Sequence, residues 1–192
     1  MAESAGAAEG FNRFVADVED IVSRDLAERD LAEEVAVRLR DLLAGSFDLP
    51  AEFCRAVDDG YVMYPLYVDA QGRFSVAAAV WGVGQATPVH GHETWGVVGI
   101  YSGIEGETRY VKPVVENIPL EVAARDLQWR AGDVTVCCTT DDDVHRVECV
   151  GNSPCIGIHV YGADIGSLPR RRYDPATGEI TWFTSTWARA NS

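Results

Sequence analysis

The fold is written most plainly in Gly84-Gln85-Ala86-Thr87-Pro88-Val89-His90-Gly91-His92-Glu93-Thr94-Trp95-Gly96-Val97-Val98-Gly99-Ile100-Tyr101-Ser102-Gly103. Glycine bounds this stretch, a proline interrupts it, and from residue 94 to 102 it runs through β-branched and aromatic residues, which is the texture of a strand. His90 and His92 stand at its start. Along a strand residues i and i+2 share a face, so both imidazoles can reach one metal ion. The chain has only two other histidines, His145 and His159. His145 follows the turn-like run Asp141-Asp142-Asp143 and opens another strand, where antiparallel pairing would set it beside the first two.

Outward from this segment the same texture recurs. The sequence predicts short strands over 61–69, 73–81, 94–102, 107–115, 119–123, 133–138, 144–150, 155–161 and 179–184. Strands at such near-regular spacing mean a sandwich or a barrel. Asp174-Pro175-Ala176-Thr177-Gly178 predicts the turn of a last hairpin, because Pro presets φ and Gly accepts a positive one. Upstream the period changes. Phe11, Phe14, Val15, Val18 and Val22 fall on one helical face. A second helix opens at Asp30, with Glu33 three residues on as in a capping box, carries Leu31, Val35, Leu39 and Leu42, and closes at Gly45. A short helical turn follows Pro50, and the first ten residues are expected to be frayed. Residues 1–58 thus form a helical segment and 59–192 a β-barrel with a C-terminal hairpin, packed as one domain over 1–192.

Composition narrows the function. Of the 192 residues 47% are hydrophobic and 24% charged, an ordinary globular balance. Sixteen basic residues against 30 acidic ones give a net charge of −14, which repels phosphate backbones and anionic lipid. Neither nucleic acid nor membrane is an expected partner, no apolar run reaches the roughly 20 residues of a membrane helix, and a cytoplasmic location is expected. The five cysteines, at 54, 137, 138, 149 and 155, contain no C-x-x-C pair and are expected to be reduced, mostly as small buried side chains. Gly82-Val83-Gly84-Gln85-Ala86-Thr87 imitates a dinucleotide fingerprint, but its last glycine is missing and no helix follows. The Asp141 to Asp143 run lacks the spacing of a calcium loop and is read as a solvated turn. The sequence carries no signal for oligomeric state.

Gly84, His90-Gly91-His92 and Gly103 have the spacing of the first cupin motif, and Gly132 with His145 resembles the second. The chain therefore resembles the cupins, which implies a mainly β fold, a double-stranded β-helix or jelly-roll barrel, with the N-terminal helices packed on it. Where the usual cupin has a glutamate four residues after the second histidine, Gly96 stands here. That departure, with His92-Glu93-Thr94-Trp95-Gly96-Val97-Val98-Gly99, His145-Arg146-Val147-Glu148 and Ile158-His159-Val160-Tyr161-Gly162, is similar to the three-histidine thiol dioxygenases. These are the cysteine dioxygenase family, and the bacterial 3-mercaptopropionate branch lies nearest. The likeness spans about 61 to 173. It implies that His90, His92 and His145 bind Fe(II), that His159 and Tyr161 form a hydrogen-bonded pair behind the metal, and that a small thiol-bearing carboxylic acid and O2 become a sulfinic acid.

Three departures modify the expectation. The serine that usually precedes the pair by two residues is Gly157, which leaves His159 needing another partner. The arginine that binds the substrate carboxylate in the cysteine branch is Tyr64, which disfavours cysteine. Val97 replaces the cysteine that crosslinks to the tyrosine in mammalian members, so no crosslink is expected. The 3-mercaptopropionate branch carries an arginine after the equivalent of Ile158–Gly162, and Arg170 stands there, with Arg172 as its substitute; a solvated basic corner is the other reading of Arg170–Arg172. Trp81 and Trp95 flank the site as aromatic walls for the substrate or as plain core. The alternative function is a metal-binding cupin that acts on a different small molecule, or a non-catalytic binding or sensor module.

Overall fold

The computed structural model describes residues 2–140 and 143–189, with side chains from residue 8 onward. Asp141 and Asp142, part of the expected turn, lie outside the described residues. Two helices come first, α1 (Ala2–Val22) and α2 (Glu28–Ala44). α1 begins nine residues before the expected Phe11, in place of a frayed start, consistent with the high helix propensity of the alanines and glutamates there. α2 also starts early. Its N-cap is Ala27, which makes no side-chain cap, and Asp30 lies in the first turn, where its charge favours the positive end of the helix rather than capping it. The expected turn after Pro50 is a single 3-10 turn, Ala51–Phe53.

Among the described residues eleven strands follow, in two antiparallel sheets. They are β1 (Val62–Val68), β2 (Ser75–Trp81), β3 (Val89–His90), β4 (Gly96–Ser102), β5 (Ile104–Tyr110), β6 (Val122–Arg130), β7 (Val134–Cys137), β8 (His145–Cys149), β9 (Cys155–Tyr161), β10 (Arg170–Tyr173) and β11 (Ile180–Phe183). One sheet has the order β1-β2-β9-β4-β7 and the other β11-β10-β3-β8-β5-β6. Neighbours distant in sequence, such as β2 with β9 and β3 with β8, make this a jelly-roll, double-stranded β-helix, as expected. The last hairpin is also present: β10 pairs with β11 around the turn, where Asp174 Oδ1 accepts from the N–H groups of Ala176 and Thr177 at 2.8 and 3.1 Å. The expected strands at 107–115 and 119–123 are displaced; β5 ends at Tyr110 and β6 starts at Val122.

The first sheet is a wall between two cores. On β2 and β9 every residue is buried. Val76, Ala78 and Val80 with Ile156, Ile158 and Val160 meet Phe14, Val18, Val35 and Leu39 of the helices. Ala77, Ala79 and Trp81 with Cys155 and Tyr161 point the other way, into the barrel. That double burial is why both strands read as nearly continuous apolar runs rather than as alternating ones. α2 lies so close to β4 that a Cβ on Gly99 would stand 2.7 and 2.8 Å from methyl carbons of Leu43 and Leu39. Among the described residues no helix is long and apolar enough to cross a membrane, and none of the five cysteines forms a disulfide.

Candidate metal centre

His90 ends β3, a strand of two residues held between β10 and β8, and its register partner on β8 is His145. The ladder therefore sets these two imidazoles side by side. His92 does not share their sheet: it lies beyond the end of β3, in the turn before β4, so the expected single strand face is corrected to a strand end plus a turn. Asp143 fixes that turn. Its Oδ1 accepts the backbone N–H of His92 at 2.7 Å and lies 3.1 Å from the ring Nδ1. The next residue, Glu93, has φ of 58° and is gripped by the fork of Arg171 at 2.7 and 2.8 Å.

The three rings converge, with centroids 4.9 to 5.0 Å apart and one nitrogen from each within 4.8 Å of the others. All three side chains are buried. Their other nitrogens are accounted for one by one. Nδ1 of His90 lies 3.0 Å from the carbonyl oxygen of Pro88, Nδ1 of His92 faces Asp143, and Nδ1 of His145 lies 2.7 Å from Glu107 Oε1. Each of these partners can only accept, so each Nδ1 carries a hydrogen and Nε2 is the nitrogen left to face a metal. An acceptor behind every imidazole is how metal-binding histidines are oriented. The donor set therefore fits a metal ion held by His90, His92 and His145.

Electrostatics agree with that tautomer. Burial pulls the His90 imidazole well below its ordinary range, and the neighbouring His145, His92 and Arg170 push the same way. Burial also lowers His92, against the opposing pull of Asp143. For Glu107 burial acts to raise the carboxyl, but the hydrogen bond from His145, with the charges of His145 and Arg109, holds it down at about 2. Asp143 is likewise held at about 2, where His92 outweighs burial. His90 and His92 held neutral, with ionised carboxylates behind the site, favour metal binding.

Asp143 and Glu107 are the residues that sequence reasoning missed. Asp143, expected in a solvated turn, is fully buried. Its signal was its place two residues before His145; that of Glu107 was its place two residues after Glu105 on a strand whose interior face both occupy. At Gly96, a Cβ would stand 3.0 Å from Cys137 Sγ and 3.3 Å from the Tyr161 ring. Cys137 and Tyr161 together fill that place, and among the described residues no carboxylate joins the three histidines.

A cavity of about 20 Å³ opens beside them, bordered also by Tyr61, Met63, Trp81, Thr87, His159, Tyr161 and Arg170. One water needs on the order of 10–15 Å³, so the space as it stands holds about one water. His159 Nδ1 lies 2.8 Å from the Tyr161 hydroxyl, and Tyr161 packs its ring 5.5 Å from that of His92. Burial pushes the tyrosine well above its ordinary range and brings His159 down to about 3, so both are neutral. Arg170 is 1% exposed. Its guanidinium lies 4.7 Å over the Phe183 ring and donates to Ser185 Oγ at 2.5 Å, while its Nε has no partner. Among the described residues no carboxylate pairs with it.

Three expected site residues lie elsewhere. Tyr64 follows Met63 on β1, and strand alternation turns Met63 into the barrel and Tyr64 out to the helices, where its hydroxyl donates to the Arg55 carbonyl at 2.9 Å. Trp95 belongs to that same outer core. Arg172 is exposed, along an outer groove with Arg146 and Glu179. Tyr61, stacked 5.7 Å from Trp81 and sharing Ser185 with Arg170, was not anticipated.

No protein-family model matches the chain. Among solved structures it is similar to an uncharacterised Klebsiella pneumoniae protein with a double-stranded β-helix domain, at 15% identity over 73% of this chain and 97% of that one, TM-score 0.46. A cupin superfamily protein of Desulfitobacterium hafniense matches at 12% identity over 60% and 90%, TM-score 0.44. An oxalate oxidase bound to the substrate analogue glycolate matches at 15% identity over 61% and 59%, TM-score 0.45. The case for a metal rests on the geometry of His90, His92 and His145 themselves.

Proposed function

We propose that the protein is a non-haem Fe(II)-dependent thiol dioxygenase, converting a small thiol-bearing carboxylic acid and O2 to the sulfinic acid, with 3-mercaptopropionate as the favoured substrate. The observation that carries this is a buried guanidinium without a carboxylate partner, Arg170, on the rim of a small cavity bordered by three buried histidines. A buried charge left unpaired is costly, and a carboxylate ligand relieves that cost. In the reaction the sulfur forms two S–O bonds, the O–O bond breaks, and the substrate supplies all four electrons.

Held by His90, His92 and His145, Fe(II) would supply acidity toward a thiol and electron density toward dioxygen. The chain's own residues do the rest. Arg170 takes the substrate carboxylate, with its Nε free to donate. Tyr61 and Ser185 hold that guanidinium in place, and Met63, Trp81 and Val147 keep the remaining wall apolar and dry. Tyr161, oriented by His159, offers a neutral hydroxyl to the reacting atoms.

The test is oxygen uptake by Fe(II)-loaded protein with 3-mercaptopropionate, cysteine, cysteamine and mercaptosuccinate, with His92→Ala as control. Uptake with one thiol acid, absent in the control, is expected. Arg170→Glu should raise KM and lower kcat together for that substrate. Silence across the panel from iron-replete protein would overturn the reading in favour of a binding or sensor cupin.

A further inference from the structure

Two buried polar atoms in the barrel have no hydrogen-bond partner and border the same spot. They are Nε2 of His159 and Oε2 of Glu105. Glu105 is 2% exposed and lies on β5, opposite Cys149 of β8. A Cβ on Gly157 would stand 2.5 Å from His159 Nε2 and 3.8 Å from Glu105 Oε2. Only glycine leaves this space open, and both partnerless atoms border it.

We propose that Glu105 is a positioning residue: its carboxyl group donates a hydrogen bond to His159 Nε2 across Gly157, and through His159 turns the Tyr161 hydroxyl hydrogen toward the metal-binding cavity. The direction follows from donor counting. Neutral imidazole has one N–H and one lone pair. If Nε2 accepts from Glu105, Nδ1 carries the hydrogen, donates to the Tyr161 oxygen 2.8 Å away, and leaves the tyrosine O–H free for the cavity. An ionised Glu105 would reverse the chain: Nε2 would donate to the carboxylate, Nδ1 would accept from Tyr161, and the cavity would face lone pairs only.

Glu105 is suited to the donor role because burial, with Glu107 nearby, raises its carboxyl to about 8, so it holds its proton at neutral pH. The titratable groups around it are Glu107 on its own strand, Cys149 on β8, and Cys155, His159 and Tyr161 on β9. The role in catalysis rests on the proposed function; the hydrogen-bond chain does not.

The deciding experiment uses metal-free full-length protein, so that it stands apart from oxygenase activity. ¹⁵N NMR of labelled histidine, assigned with a His159→Gln variant, reads which His159 nitrogen is protonated, and infrared spectroscopy reads the C=O stretch of a neutral carboxylic acid. At pH 7 the wild type should show Nδ1–H and the acid band, with both lost as pH rises through about 8. Glu105→Gln keeps a donor of the same shape, so it should keep the tautomer at every pH and lose the band. Glu105→Leu should lose the tautomer preference. In the iron-loaded enzyme Glu105→Leu should lower kcat at least tenfold and Glu105→Gln less than threefold. An Nε2–H tautomer in the wild type at pH 7, or an unchanged tautomer in Glu105→Leu, overturns the proposal. If the spectra behave as expected but no thiol is oxidised, the hydrogen-bond chain stands and the oxygenase reading alone fails.

Discussion

Replacing Asp143 by alanine isolates what the carboxylate behind His92 contributes. Asp143 is fully buried and makes two contacts to one residue, the His92 backbone N–H at 2.7 Å and its Nδ1 at 3.1 Å, with Lys112 Nζ 3.6 Å from its other oxygen. Alanine leaves both His92 donors without an acceptor, at about 1–3 kcal/mol each. It also frees the ring to rotate and to exchange tautomers. Loss of such an outer partner typically lowers metal affinity 10–100-fold, about 1.4–2.7 kcal/mol. Asparagine keeps Oδ1 as an acceptor, so Asp143→Asn should stay within a few-fold of wild type. Competition for Co(II) against a chromophoric chelator at pH 7, with far-UV circular dichroism to show that each variant is folded, separates the two. A folded Asp143→Ala protein that binds Co(II) as tightly as wild type would refute the argument that the carboxylate sets the imidazole for a metal.

The remaining predictions concern pH and packing. His90 and His92 lie below their ordinary value of 6.5, so the unfolded chain takes up protons first, and the stability they confer is present above pH 6.5 and lost as pH falls below it. Bound Co(II) should accordingly be half-released below pH 6.5 in an absorbance titration; half-release at or above that value would contradict neutral, buried ligands. Glu105 acts with the opposite sign, since its carboxyl lies at about 8 against an ordinary 4.5 and disfavours the fold as pH rises between the two. Glu105→Gln should therefore gain stability over wild type, by nothing below pH 4 and by a few kcal/mol at pH 8, in urea unfolding at a series of pH values. Gly99→Val forces two methyl groups into the α2–β4 contact and should cost about 1–3 kcal/mol, read by the same unfolding assay; an unchanged midpoint would mean that the helix shifts at no cost.

Local signals carried the architecture far. The helical stripe from Phe11 to Val22, the turn at Asp174–Gly178 and the two-sided apolar runs of β2 and β9 were legible because each is dictated by near neighbours. The same holds for His90 and His145, which sit at strand ends. Glu105, Glu107 and Asp143 were not legible: what makes them functional is contact with residues about 40 or more positions away, and acidic residues beside glycine or in an Asp run are ordinarily solvated. Tyr64 shows a different failure. Counting along the chain placed it at the site, but neighbours on a strand face opposite ways, and a count off by one exchanges cavity for helix.

Because the wall made by β2 and β9 is a single layer of backbone, Ile158 and His159 are consecutive links of one chain facing two interiors. A change in how α1 and α2 press on Val76, Ile158 or Val160 has no intervening layer in which to dissipate. It reaches His159 and Tyr161 as a tilt of their own peptide groups. The helical segment is thus the backing plate of the pocket, and substitutions under it, remote from any histidine, are a route by which the alignment of the tyrosine hydroxyl can be tuned without touching the metal's ligands.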